Sequence, residues 1–202
     1  IERGQIDFGI VVDGESSRFV TERTIDQLLD PGVDEAAFRA SFATLTLGSG
    51  AAAMVLGRAD LSPSGHRFTG GVNQAATQHN RLCFGQVDHM VTDTRALLVA
   101  GLELAATTWG RAVNELGWTA DGLDWYVLHQ VSAPHTDKLV QTLGLDPAKI
   151  YRLYPEFGNV GPAGVPIVLS KLRHEGRLQP GQRIALMGIG SGLNCTMAEV
   201  LW

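Results

Sequence analysis

Three short stretches hold residue types that could do chemistry. LDWYVLHQ (residues 123–130) reads as a buried strand that ends on two polar residues, His129 and Gln130. Thirty residues further on, YPEFGNVGPAGVPIVLSKL (154–172) sets Asn159 among glycines and prolines, directly ahead of an apolar, helix-like segment. GIGSG (188–192) is a glycine turn between two apolar runs. An imidazole can carry or transfer a proton near neutral pH, and a carboxamide donates its N–H at every working pH. A glycine turn lets a backbone N–H approach a substrate oxygen. Each stretch also has a plain structural explanation. A histidine can close a buried strand as a packing residue, an asparagine beside glycine can cap a helix, and GIGSG can be a hairpin turn and nothing more.

Other chemistries fit these residues poorly. A dinucleotide loop needs GxGxxG followed by a helix, whereas the residues after GIGSG read as a strand. A nucleophile elbow needs GxSxG at a strand-to-helix turn, so the Ser191 hydroxyl is not expected to attack anything. His129 and His135 lack a third ligand at a useful spacing, which argues against a metal. Cys83 and Cys195 sit in no activating context and read as small buried hydrophobes. Arg18, Glu22, Arg23 and Asp26 read as a solvated face.

The elements that must position these residues can be traced along the chain. DFGIVVDGE (7–15) reads as a buried strand, residues 34–42 as a helix with acidic residues in its first turn, and residues 48–60 as a strand. LSPSG (61–65) is the linker candidate. RFTGGVNQAAT reads as a further strand. Residues 92–116 are expected to form the clearest helix, capped by Thr92, with Leu97, Leu98, Gly101, Leu102, Ala105 and Ala106 as its apolar stripe and Gly117 as its stop. A strand at 123–130, a helix at 133–144 with Pro134 in its first turn, a helix across 165–174 and a hairpin of 183–190 with 193–202 complete the order. Alternating strands and helices indicate a layered α/β fold with a mixed sheet, whose ligands gather beyond the carboxyl ends of strands. His129 and the glycine turn both lie at such ends.

Composition narrows the class further. Of the 202 residues 45% are hydrophobic and 18% charged, an ordinary globular balance, and the net charge of -5 argues against a general nucleic-acid binder. No apolar run approaches the roughly 20 residues that span a bilayer. Two cysteines are too few for a disulfide scaffold, and a reducing, cytoplasmic setting is expected. The chain opens on IERGQID, with neither an initiator methionine nor a signal peptide, and reads as a portion of something longer.

Taken together, HQ at a strand end, GN before a helix and GIGSG before the last strand resemble the C-terminal half of the thiolase-fold ketoacyl synthases of the ketoacyl-ACP synthase III type. Within that group VDGESSRFVTE, FATLTLGSGAAAMVL, HQVSAPHT and GNVGPAGVPIVLSKL are most similar to the OleA branch. The resemblance implies a thiolase-like α/β/α/β/α fold with a C-terminal hairpin. Residues 1–60 would end the N-terminal half, 61–65 would link, and 66–202 would form the C-terminal half. It implies a non-decarboxylative Claisen condensation of two fatty acyl-CoA thioesters on the way to olefins or β-lactones. A decarboxylating synthase III that extends an acyl primer, and a non-catalytic half-chain that completes a partner's site, remain as alternatives.

The family's catalytic histidine and asparagine carry over to His129 and Asn159, as two donors to an enolate oxygen. Loss of one such donor typically costs about 2.7–4 kcal/mol. The backbone N–H of Ser191 carries over as part of a second oxyanion hole. The family's nucleophilic cysteine and its acidic base fall outside the chain, so a missing N-terminal half is expected to supply them, within a protein of about 340 residues. No cofactor is implied, acyl-CoA being substrate, and a homodimer is expected of the complete enzyme.

Overall fold

DFGIVVDGE and GSGAAAMVLG pair, in a computed structural model that describes residues 1–202, as an antiparallel ribbon. Its strands are β1 (Phe8–Glu15) and β2 (Gly50–Gly57), with Phe8 opposite Gly57 and Glu15 opposite Gly50. Between them lie α1 (Arg18–Leu28) and α2 (Glu35–Ser41). The second of these starts where the Asp34 carboxylate accepts the Ala37 N–H at 2.8 Å. After LSPSG come β3 (Arg67–Ala75), the short hairpin β4 (Cys83–Gly85) and β5 (Met90–Thr92), and the long helix α3 (Thr94–Leu116). The chain continues through β6 (Trp125–Leu128), α4 (Ala133–Leu143), the single turn α5 (Tyr154–Phe157), α6 (Gly164–His174), β7 (Arg183–Gly190) and β8 (Asn194–Leu201).

The main sheet has the order β3-β8-β7-β6. The β7–β8 hairpin and the β3–β8 pair are antiparallel, while β6 runs parallel to β7, so the sheet is mixed as expected. The extended piece before α5 joins its edge through an isolated parallel bridge from Ile150 to Tyr126.

Period-two alternation along β6 sends successive residues to opposite faces of this sheet. Tyr126 and Leu128 pack with Met187, Met197, Leu104 and Leu139 in a core beneath α3 and α4. Trp125 and Val127 pack with Ile184, Val168 and Leu172 in a second core beneath α6. Each such fully buried aliphatic side chain contributes about 1.5–3 kcal/mol of transfer free energy. The other side of α6 meets the ribbon, where a Cβ added to Gly50 would lie 3.0 Å from Ile167 Cδ1. The layers therefore run helices, sheet, helix, ribbon.

Several local expectations change. The strand at 8–15 is not buried: Ile10 is 65% and Val12 68% exposed, because nothing in this chain covers the outer face of the ribbon. Helix α3 is capped by Asp93, which accepts the Ala96 N–H at 2.9 Å, and Thr92 belongs to β5 instead. Its buried stripe is Ala100, Gly101, Leu104, Ala105, Thr108 and Ala112, whereas Ala106 faces solvent. Arg18, Glu22, Arg23 and Asp26 are exposed, on a helix whose Arg18 and Glu22 pair at 2.8 Å.

Candidate active site

Strand β6 delivers His129 to the edge of the sheet. Its residues are buried throughout, and the ladder to β7 runs one step past the strand, with the His129 N–H donating to the Met187 carbonyl at 2.8 Å. The imidazole is half-buried, and Nδ1 lies 3.2 Å from the Gly161 carbonyl oxygen. A carbonyl only accepts, so Nδ1 carries the hydrogen and the neutral ring presents its lone pair at Nε2. Burial holds the ring's pKa below its ordinary value, and the Gly161 carbonyl opposes that shift without reversing it. Nε2 therefore rests as an acceptor, and it becomes a donor only when the ring takes a second proton.

The next residue ties this strand end to the loop that carries Asn159. Gln130 is buried and hydrogen-bonded at both ends of its amide. Its Nε2 donates to the Tyr151 carbonyl at 2.6 Å, while its Oε1 accepts the Leu153 N–H at 2.7 Å and the Tyr154 N–H at 3.4 Å. One amide side chain thus fixes where the residue 154–164 loop begins.

A segment near the end of the N-terminal region holds the backbone of Asn159. The Asn159 N–H donates to the Thr46 carbonyl at 2.9 Å, and its carbonyl accepts the Gly48 N–H at 2.8 Å, a parallel bridge centred on Leu47. Only glycine fits at position 48, since an added Cβ would lie 1.7 Å from the Phe157 carbonyl oxygen. The side chain does not cap α6, which begins at Gly164 after a short 3-10 turn without a side-chain cap. Asn159 Oδ1 instead accepts the Gly161 N–H at 3.1 Å, closing an Asx-type turn. That bond assigns the amide orientation and leaves both hydrogens of Nδ2 free to donate.

Gly161 joins the two side chains. Its N–H goes to Asn159 and its carbonyl receives His129, so residues thirty apart in sequence hang from one residue. The structure thus brings His129 and Asn159 together through their hydrogen bonds to Gly161.

Ser191 lies in the exposed turn between β7 and β8, at the same end of the sheet as His129. Its N–H donates to no backbone carbonyl, and it makes no hydrogen bond to His129 or Asn159. His135 follows Ser132, the cap of α4, and its ring pKa is pushed down to about 4 by burial and by the nearby His129. Cys195 is buried, and burial pushes its thiol up. Cys83 accepts the Thr92 hydroxyl at 3.5 Å. Surface cavities of about 480 and 420 Å³ are lined by residues around Arg23 and around Glu103, and neither includes His129 or Asn159. Gln130, Gly161 and the Thr46–Gly48 segment lie inside motifs that the sequence displays, but no role is assigned to them there. The nearest signals were a glutamine directly after the strand-end histidine and glycines flanking the asparagine.

Residues 113–202 match the family described as 3-oxoacyl-[acyl-carrier-protein] synthase III C terminal. Over its whole length the chain is 54% identical to the acyl-CoA:acyl-CoA alkyltransferase of Xanthomonas campestris and 36% identical to that of Shewanella oneidensis. It spans 60% and 61% of those proteins, less than two thirds of either. A solved cysteine-to-serine variant of Xanthomonas campestris OleA with bound lauric acid and lauroyl-CoA superposes with a TM-score of 0.97 at 55% identity, covering 100% of this chain and 60% of that one. A histidine-to-alanine variant of the same protein superposes at 0.96 with 54% identity, covering 100% of this chain and 59% of that one. The mixed sheet and its flanking helices are those of the thiolase-like OleA structure.

Proposed function

We propose that this chain, which carries a thiolase-superfamily synthase III C-terminal domain, supplies the donor pair of an acyl-CoA condensing enzyme. The reaction would join two fatty acyl thioesters by non-decarboxylative Claisen condensation to a β-ketoacyl product. The observation that carries the reading is the connected unit of His129, Gly161 and Asn159 at a strand end. A thioester α-carbon is a weak acid, and its enolate concentrates charge on the carbonyl oxygen. Fixed N–H donors aimed at that oxygen lower the barrier without reorganising during the reaction. Asn159 Nδ2 donates at rest. His129 Nε2, an acceptor at rest, becomes the second donor only when the ring takes a proton from water, and the developing enolate then supplies the counter-charge that raises the ring's proton affinity against the effect of burial. The backbone N–H of Ser191 serves a second hole for tetrahedral intermediates.

The chain does not act alone in this proposal. A cysteine nucleophile and the general base come from an N-terminal half that also seats on the outer face of the ribbon, where Phe8, Ile10, Val12 and Val55 are exposed. The complete enzyme works as a cytoplasmic homodimer with acyl-CoA as substrate and no added cofactor. In the full-length protein, His129→Ala and Asn159→Ala should leave the burst of CoA released on acylation and suppress formation of the β-ketoacyl product. Loss of the burst with unchanged steady-state condensation would go against these roles. Dependence on malonyl-ACP with release of carbon dioxide would instead identify a decarboxylating synthase.

A further inference from the structure

The two proposed donors hang from Gly161, and one side chain of the ribbon bears on that residue. Strand β1 ends at Glu15, opposite Gly50, on the side of the ribbon that packs against α6. A Cβ added to Gly161 would lie 3.0 Å from Glu15 Cδ, 3.1 Å from Oε1 and 3.2 Å from Cγ. The Glu15 side chain therefore rests against the α-carbon of Gly161, where any other residue would carry its own. Gly161 has φ +55°, in the left-handed region that glycine enters freely and leaves as freely. Rotation of its leading peptide would release Asn159 Oδ1, and rotation of its trailing peptide would release His129 Nδ1. Within the loop Pro162 and the Asn159 bond restrict that conformation, and a contact from the ribbon adds to them.

Glu15 is itself held. Two residues on, the Ser17 N–H donates to Ser49 Oγ at 3.1 Å and the Ser17 hydroxyl donates to the Leu47 carbonyl at 3.4 Å. The end of β1 is thus fastened to the segment that clamps the Asn159 backbone. No cation pairs with Glu15, and burial followed by the neighbouring Asp13 pushes its carboxyl above the ordinary range. The contact with Gly161 works by shape and not by charge.

We propose that Glu15 is a positioning residue for the His129–Asn159 pair, holding the Gly161 peptides in the orientation that fixes both side chains. The proposal rests on the reading of that pair as the working site. In the full-length protein, long-range nitrogen NMR of the His129 ring should report a single tautomer with the hydrogen on Nδ1. Glu15→Ala should mix the two tautomers and lower kcat for condensation on the order of 10²-fold, leaving KM for acyl-CoA little changed. Glu15→Gln, which keeps the shape, should restore both. If Glu15→Ala does not fold, Glu15→Asp, which withdraws the carboxyl by one methylene, should show the same tautomer mixing.

An unchanged tautomer and rate in Glu15→Ala would overturn the proposal. So would a Glu15→Gln variant as impaired as Glu15→Ala, since charge would then be the agent. If the wild-type protein does not condense acyl-CoA at all, the functional reading falls, and the tautomer measurement still decides the role of Glu15.

Discussion

Asn159 combines two tasks in one carboxamide, and they can be separated by a single atom. Its Oδ1 accepts from Gly161 and shapes the loop, while Nδ2 keeps its N–H hydrogens to donate. Asn159→Asp keeps the accepting oxygen and replaces the donor with a carboxylate oxygen, which repels a developing enolate. The loop should survive and the chemistry should not. We expect condensation to fall by about 10²–10³-fold, equivalent to about 2.7–4 kcal/mol, with the thermal midpoint near that of the wild type. Kinetics and calorimetry on the same preparation check this. A variant that melts early in proportion to its lost activity would mean that Asn159 acts on the fold alone. The type of this residue was legible in the sequence, but its geometry was not. GNVGP signals a turn before a helix, and nothing local tells that the side chain closes on Gly161 while the backbone is clamped by Thr46 and Gly48. That clamp is a long-range pairing, and it appears only when the ribbon and the main sheet are placed together.

Elements set the site through their ends. Two adjacent polar residues follow strand β6, His129 turned to the Gly161 carbonyl and Gln130 to Tyr151 and Leu153, and the second determines where the Asn159 loop starts. Gln130 lies within the sheet edge at 4% exposure, so all its bonds are made with protein groups. Gln130→Leu keeps the volume and strands the Tyr151 carbonyl and the Leu153 N–H. Leaving such buried groups unsatisfied costs about 1–3 kcal/mol apiece. The expected result is a lowered thermal midpoint together with reduced condensation, because the loop loses its anchor. Unchanged hydrogen-exchange protection of the Leu153 N–H in the variant would contradict this. The order β3, α3, β6, α4, α6, β7, β8 could be read from hydrophobic periodicity, capping residues and stop glycines, because those signals are local, whereas the three-residue strands β4 and β5 are too short to show a period. The burial of β1 could not. Its apolar run is the same whether a layer covers it or not, and periodicity reports the apolar face without naming what lies against it.

At the scale of the whole molecule, the ribbon is the part with an apolar face that nothing in this chain covers. Cross-strand register places Phe8, Ile10 and Val12 on one face with Gly57, Val55 and Ala53, and the large members are more than half exposed. Soluble proteins rarely present so continuous an apolar surface, and a two-stranded ribbon has little stability of its own. The opposite face meets α6 near Gly50, though Val11 on that face is itself 60% exposed, so the outer face is the larger apolar surface without a cover. The proposed N-terminal half would provide it, and a directly opposed pair of positions tests that. Ile10→Lys with Val55→Glu puts complementary charges across from each other, which an exposed face tolerates and a covered one does not. The 202-residue chain produced alone should self-associate, and this double variant should become monomeric in sedimentation with little change in thermal midpoint. In the full-length protein the same two substitutions should lower the midpoint sharply, since two charges would then be forced into an apolar contact. If the full-length double variant melts with the wild type, the outer face of the ribbon is not where the rest of the protein sits.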